Sequence, residues 1–269
     1  MNLQKLVVMA LFVLTLTSCN NKEERRVDFT NLEKQVKENF EKKPVDRETI
    51  SMLRWDTFYL LGWSEDGKKI AYAIDKATGM AANFSAKIYI QDVKTGNHPW
   101  KVSVEDALIE KYDSFEGYWS VNHSYIEFVL KQHKIKLAKD IQLKSFPIHW
   151  EKDDFSVKLE LKKHKKVSTN KDYFAGLGGY KLFLTSPITS MKLKLIADCE
   201  LEVQEADLGY DTTSKIKVFG YFQSPDKSRV AVLVARLEYG FEGLKMVRYE
   251  VVGADLKHDE AYYGEELLR

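Results

Sequence analysis

From Trp55 onward, short apolar runs alternate with Asp, Gly, Lys and Asn, the pattern of strands joined by tight turns. Residues 58–63 and 69–74 flank Ser64-Glu65-Asp66-Gly67-Lys68. Asp-Gly between two such runs predicts a hairpin, because Gly accepts the positive φ that primed turns require. A further strand is expected over residues 86–93, closed by Lys94-Thr95-Gly96. Residues 155–161 place Phe155, Val157, Leu159 and Leu161 in alternation with Ser, Lys and Glu, a half-buried antiparallel strand. Residues 134–143, 180–184 and 191–197 complete the centre. Residues 219–234 repeat the first hairpin around Ser224-Pro225-Asp226-Lys227-Ser228, with residues 245–252 as the partner strand. Residues 118–129 read as a degenerate third copy, with Asn122 and His123 in its turn. The expected body is mainly β: an antiparallel β-sandwich or a partial, irregular propeller-like body, with a short N-terminal helix.

The beginning of the chain follows a different pattern. Residues 6–16 (LVVMALFVLTL) are apolar apart from Thr. That run falls well short of the roughly 20 residues a membrane-spanning helix needs, and suits the apolar region of a secretory signal peptide. Leu16-Thr17-Ser18-Cys19 follows and resembles the bacterial lipobox. The resemblance implies cleavage before Cys19, a diacylglycerol thioether on its sulfur and a further acyl chain such as palmitate on the new amino terminus. Membrane lipid is then a partner, and two or more acyl chains make the attachment durable. No Asp follows the Cys, where Asp resembles an inner-membrane retention signal. The expected address is therefore the outer membrane of the bacterial cell envelope, on its periplasmic or surface-exposed side.

Residues 20–26 (NNKEERR) have nothing to bury and read as a solvated leash. Thr30 and Glu33 form a capping box, Leu32, Val36 and Phe40 fall on one helical stripe, and Pro44 ends it. A helix over 31–43 is predicted, its narrow stripe suited to docking on the body. The organisation expected is 1–18 signal peptide, 19–29 lipidated flexible tether, 30–54 N-terminal helix and linker, and 55–269 a single β-rich domain.

The hairpins carry a second resemblance. Residues 63–72 (WSEDGKKIAY) with 88–93 (IYIQDV) resemble a WD40-like propeller repeat of the TolB type, with Glu65 in place of the usual Pro. The copy at 219–234 has Pro225 and Asp226, and Ser228 falls at or beside the family's Gly. The resemblance implies blade-like sheets. However, Ser64, Ser120 and Ser224 are spaced more widely than the about 40–45 residues of regular blades. The arrangement, with YGFEG at 239–243, is also similar to an uncharacterised family of predicted bacterial secreted proteins, a resemblance that carries no activity.

Composition narrows the chemistry. With 41 Lys+Arg against 40 Asp+Glu, no surplus of positive charge marks nucleic acid as a partner. Two Cys make neither a disulfide framework nor a Cys-rich zinc module. With Cys19 acylated, Cys199 is a lone thiol in a strand-like run. His98, His123, His133, His149, His164 and His258 lack metal-ligand spacing, and no metal or cofactor is expected. Gly176-Leu177-Gly178-Gly179 lacks the Lys-Ser/Thr of a phosphate loop and reads as a turn between strands. Asp153-Asp154 and the pair Glu202 and Glu205 read as solvated carboxylates, and Asp66 and Asp226 as turn-fixing groups. Lys158, Lys162, Lys163, Lys165 and Lys166 surround His164, either as a basic patch for an anionic glycan or lipid head group or as a solvated hairpin tip. Of Trp55, Trp63, Trp100, Trp119 and Trp150, the second and fourth precede a repeat Ser, where the core is the natural home. The expected role is a non-catalytic binding or scaffolding module, with envelope proteins or glycans as partners. The rival is a glycosidase-like envelope hydrolase whose carboxylates meet only in the fold. A third possibility is an accessory subunit of an envelope complex, marked by an exposed apolar patch.

Overall fold

The most apolar strand explains the architecture. Residues 230–235 (VAVLVA) are buried at every position, so both faces of this strand must be covered. Val230, Val232 and Val234 enter one apolar cluster, and Ala231, Leu233 and Ala235 enter another. A continuous apolar run of this kind belongs to a sheet sandwiched between two layers, whereas strict alternation belongs to a sheet with one wet face.

The computed structural model describes residues 53–76, 85–104, 112, 114–138, 142–168, 173–186, 194–201, 204–206, 209–239 and 245–257. The leader, Cys19, the leash and the helix expected over 31–43 lie outside the described residues.

Three antiparallel meanders account for most of the described residues. The first sheet, A, joins β2 (Thr57–Ser64), β3 (Lys69–Asp75), β4 (Ala86–Asp92) and β5 (Trp100–Val104), with β6 (Ile135–Leu137) beside β2. Sheet B joins β14 (Gly209–Gln223), β15 (Arg229–Tyr239) and β16 (Lys245–Asp255), flanked by β13 (Gln204–Ala206) and by β1 (Leu53–Trp55). Here β1 runs parallel to β16, in register from Leu53 opposite Lys245 to Trp55 opposite Val247. Sheet C joins β7 (Ile148–Trp150), β8 (Asp153–Leu161), β11 (Gly179–Thr185) and β12 (Lys194–Glu200). Strands β9 (His164–Ser168) and β10 (Tyr173–Leu177) pair with each other and prolong the β8–β11 ribbon.

The sheets stack face to face. Ile70, Tyr72 and Ile74 of β3 meet Phe222, Leu233 and Val251 of sheet B. The opposite face of sheet B meets Ile148, Phe155, Tyr180, Leu182 and Leu184 of sheet C. The outer face of sheet A carries the small Ala71 and Ala73, which leave room for α1 (Phe115–Gln132), the one helix among the described residues. The order of layers is therefore α1, A, B, C. The described residues contain no helix long and apolar enough to cross a membrane.

Both Ser-x-Asp hairpins form, with nearly identical bonding. Ser64 Oγ donates to Asp66 Oδ1 at 2.7 Å and accepts from Lys69 N at 2.9 Å. Ser224 Oγ donates to Asp226 Oδ1 at 2.6 Å and accepts from Arg229 N at 3.0 Å. The left-handed position is Gly67 (φ 65°) in one and Lys227 (φ 60°) in the other. Lys227 thus stands where the first hairpin has Gly67, and Ser228 follows it. The two turns abut, since Arg229 Nη1 donates to Asp66 O at 2.9 Å.

The expected third hairpin at 118–129 is instead the middle of α1. Ser114 caps the helix by accepting from Gly117 N at 3.1 Å, and Phe115, Tyr118, Ile126, Val129 and Leu130 are buried at helical spacing. Asn122, read as a turn residue, bonds the Tyr118 carbonyl one helical turn back at 3.0 Å. Local likeness to the strand template is overridden by the cap and by a 3.6-residue apolar period. Of the strand expected over 134–143, the described residues show β6, and residues 139–141 lie outside them. Gly176–Gly179 is not a turn either: Gly178 lies between β10 and β11 inside the extended ribbon, its N–H donating to Lys163 O at 3.1 Å.

Candidate functional site

The clearest gathering of ionisable groups lies where sheet B passes the chain to sheet A. Asp56 alone links β1 to β2, and its N–H donates to Val247 O at 3.0 Å. That position holds its carboxylate at 4% exposure, where an ionised group needs a partner. Arg248 supplies one, with Nη1 at 2.6 Å from Asp56 Oδ1. From Arg248 the charges continue along sheet B: Glu238 at 3.5 Å, then Arg236 at 3.2 Å from Glu238, then Glu250 at 3.9 Å from Arg236. Arg236 and Arg248 stand directly opposite each other across β15 and β16. Like charges in that position repel, and the diagonal glutamates offset them.

Asp75 ends β3 and Glu116 lies in the first turn of α1. Asp75 Oδ2 accepts from Phe115 N at 3.3 Å, so the strand end helps cap the helix. Tyr59 on β2 donates its hydroxyl to Glu116 Oε1 at 2.8 Å. Burial, with the neighbouring Glu116 and Asp56 charges adding to it, pushes the Asp75 carboxyl up to about 6. Burial and the nearby Lys87 bring the adjacent Lys76 ammonium down to about 8. A carboxyl group titrating near 6 can carry a proton at mildly acidic pH, the property a general acid uses. Here the three converging carboxylates are each bonded by the fold itself: Asp56 by Arg248, Asp75 by the α1 backbone and Glu116 by Tyr59.

The residues singled out in the sequence do not converge. Trp63 and Trp55 belong to the A–B interface, Trp100 and Trp119 to the α1–A interface and Trp150 to the B–C interface. His98 Nε2 lies 3.4 Å from the Tyr72 hydroxyl. His123 Nδ1 is 3.0 Å from Ser120 O, His133 ends α1, and His149 pairs with Asp154 at 2.6 Å on the surface. His164 sits in β9, and His258 lies outside the described residues. Among the described residues no three His, Cys, Asp or Glu side chains are placed to hold a metal ion.

Cys199 lies on β12, 3.7 Å from Glu250 Oε1. Burial and that carboxylate push its thiol above the usual range, which lowers the thiolate fraction a nucleophile needs. Of the lysine group, Lys158 bonds Glu160 at 2.7 Å, and Lys162 bonds both Asp198 and Glu200. Lys165 and Lys166 belong to β9. Asp153 Oδ2 accepts from Ser186 Oγ at 2.5 Å. Glu205 lies in β13, and Glu202 lies outside the described residues.

Sequence reasoning missed Asp56, Asp75, Glu116 and Arg248. The one readable sign was the pair of Arg-x-Glu stretches, Arg236-Leu237-Glu238 and Arg248-Tyr249-Glu250, where charges replace Val on a single strand face and Arg236 stands opposite Arg248. No family model matches the chain, and no curated protein and no solved structure matches it.

Proposed function

We propose that this chain is a lipid-anchored protein of the bacterial cell envelope, held in the outer membrane through acylated Cys19, that works as a non-catalytic binding or scaffolding module. Its partners are membrane lipid at the anchor and envelope proteins or glycans at the body. The observation that carries the non-catalytic reading is the engagement of the convergent carboxylates. Asp56, Asp75 and Glu116 are bonded to Arg248, Phe115 N and Tyr59, whereas a glycosidase presents two carboxyl groups about 5–10 Å apart to its substrate. The anchor rests on Leu16-Thr17-Ser18-Cys19. Three face-to-face meanders, two of them turned by equivalent Ser-x-Asp hairpins, favour a partial, propeller-like body over a two-layer sandwich.

Labelling cells with an alkyne fatty acid tests the anchor. The protein is expected to take up label and fractionate with membranes, and Cys19→Ala to abolish both. Unchanged labelling in Cys19→Ala would refute it. Co-purification from crosslinked, detergent-solubilised membranes tests the scaffold. Reproducible partners are expected, and recovery as a solitary monomer would overturn it. The hydrolase rival predicts turnover of envelope glycans that Asp75→Asn or Glu116→Gln abolishes.

A further inference from the structure

Helix α1 covers sheet A with one face and carries Val121, Tyr125 and Phe128 on the adjacent one, 56%, 58% and 59% exposed. Steps of four and three residues put them on one stripe, about 10 Å long at 1.5 Å per residue. Single exposed apolar side chains are ordinary. Three at helical spacing, two of them aromatic, on the outermost layer of the stack form a surface suited to being covered.

We propose that residues 31–43 of the same chain dock on this stripe. Leu32, Val36 and Phe40 make an apolar line of matching length, about 12 Å on a helix. An isolated helix of that length is marginal in water and needs an apolar surface to persist. The place where the described chain begins brings this surface within reach. Leu53 opens β1, Asp56 passes the chain to β2, and Tyr59 on β2 bonds Glu116 in the first turn of α1. Leu53 itself lies in sheet B, four residue steps or at most about 13 Å from Thr57, which pairs with Asp75 at the start of α1. Val121 lies about 8 Å further along that helix. The ten residue steps from Lys43 to Leu53 reach about 33 Å when extended, ample for the return.

Docking shortens the leash. Free chain from Cys19 to Leu53 could extend about 110 Å, whereas only about 40 Å remains between Cys19 and a docked segment starting at Asn31. This consequence rests on the anchoring reading, but the docking itself does not.

The test is hydrogen exchange on the full mature chain from residue 19, with Cys19→Ser to remove the lipid site. Amides of residues 31–43 are expected to be protected at least tenfold over the free-chain rate. Tyr125→Glu is expected to remove that protection while the amides of β15 and β16 keep theirs. In the same background, Val36→Cys with Tyr125→Cys is expected to form a disulfide within the monomer on mild oxidation. Free-chain exchange over 31–43, or protection insensitive to Tyr125→Glu, would overturn the proposal. Disulfides found solely between molecules would assign the stripe to a second copy. Protection arising solely on adding phospholipid vesicles would assign it to the bilayer. Either result would also overturn the proposal. None of these outcomes bears on fatty-acid labelling of Cys19, so failure here and failure of the anchor are distinguishable.

Discussion

Asp75→Asn isolates what the carboxyl group at the A–α1 junction contributes. The folded chain raises this group from 3.8 to about 6, mainly by burial, so the folded state binds its proton more tightly than the unfolded one. The resulting penalty is absent below about pH 4, grows as pH rises through about 4 to 6, and is complete above that. Two pKa units correspond to about 3 kcal/mol. Asp75 is only partly buried, and solvent screening reduces the figure to about 1–2 kcal/mol. Asn keeps an oxygen that can accept from Phe115 N without carrying charge. Asp75→Asn should therefore be more stable than the parent by about 1–2 kcal/mol at pH 7, and the difference should close below about pH 4. Urea midpoints at constant ionic strength across that range, with the slope unchanged, give the answer. If the variant is instead less stable at pH 7 and that deficit closes below about pH 4, the negative charge at the start of α1 outweighs its desolvation and the reasoning fails.

Two further perturbations probe the joints between layers. At Gly253 an added Cβ would lie 2.1 Å from Val93 O, a backbone atom, while at Gly96 (φ 72°) it would meet nothing within 4 Å. Gly96→Ala should cost about 1–2 kcal/mol through its left-handed backbone. Gly253→Ala should cost about 3 kcal/mol or more through overpacking, and equal midpoints in urea would contradict that ranking. Arg248→Met withdraws the guanidinium from the buried Asp56 carboxylate and should cost about 3–5 kcal/mol. Lys158→Met at the exposed Glu160 pair should change stability by less than about 1 kcal/mol. Comparable thermal shifts for these two variants would show that the Asp56 pair does not secure the junction.

Much of the strand set was legible. Strands β2, β3, β4, β8, β11 and β12 and the second hairpin all announce themselves by period-two patterning or by Ser-x-Asp turns. The stacking was harder to see, because alternation specifies a buried face without naming what covers it. The unbroken apolar runs at 70–74 and 230–235 mark sheets covered on both sides, but both hairpins were read from their turns alone. Helix α1 was misread because Tyr118-Trp119-Ser120 matches a strand template over three residues, whereas Ser114 and the buried spacing act over eighteen. The Asp56–Arg248 pair joins residues 192 positions apart, and no local pattern encodes a contact at that separation. Asp75 looked like any strand-ending carboxylate until α1 was placed against it.

The single-residue link at Asp56 also determines how the body bears tension. In a chain anchored as proposed, any pull from the membrane enters at Leu53 and runs into β1. That strand lies parallel to β16, so a load between the leash and the far end of β16 slides the two strands past each other. The hydrogen bonds from Leu53 to Trp55 are then strained together rather than peeled singly. The next residue in line is Asp56, clasped by Arg248. The point where the leash meets the body is thus a shear joint with an ionic stop behind it.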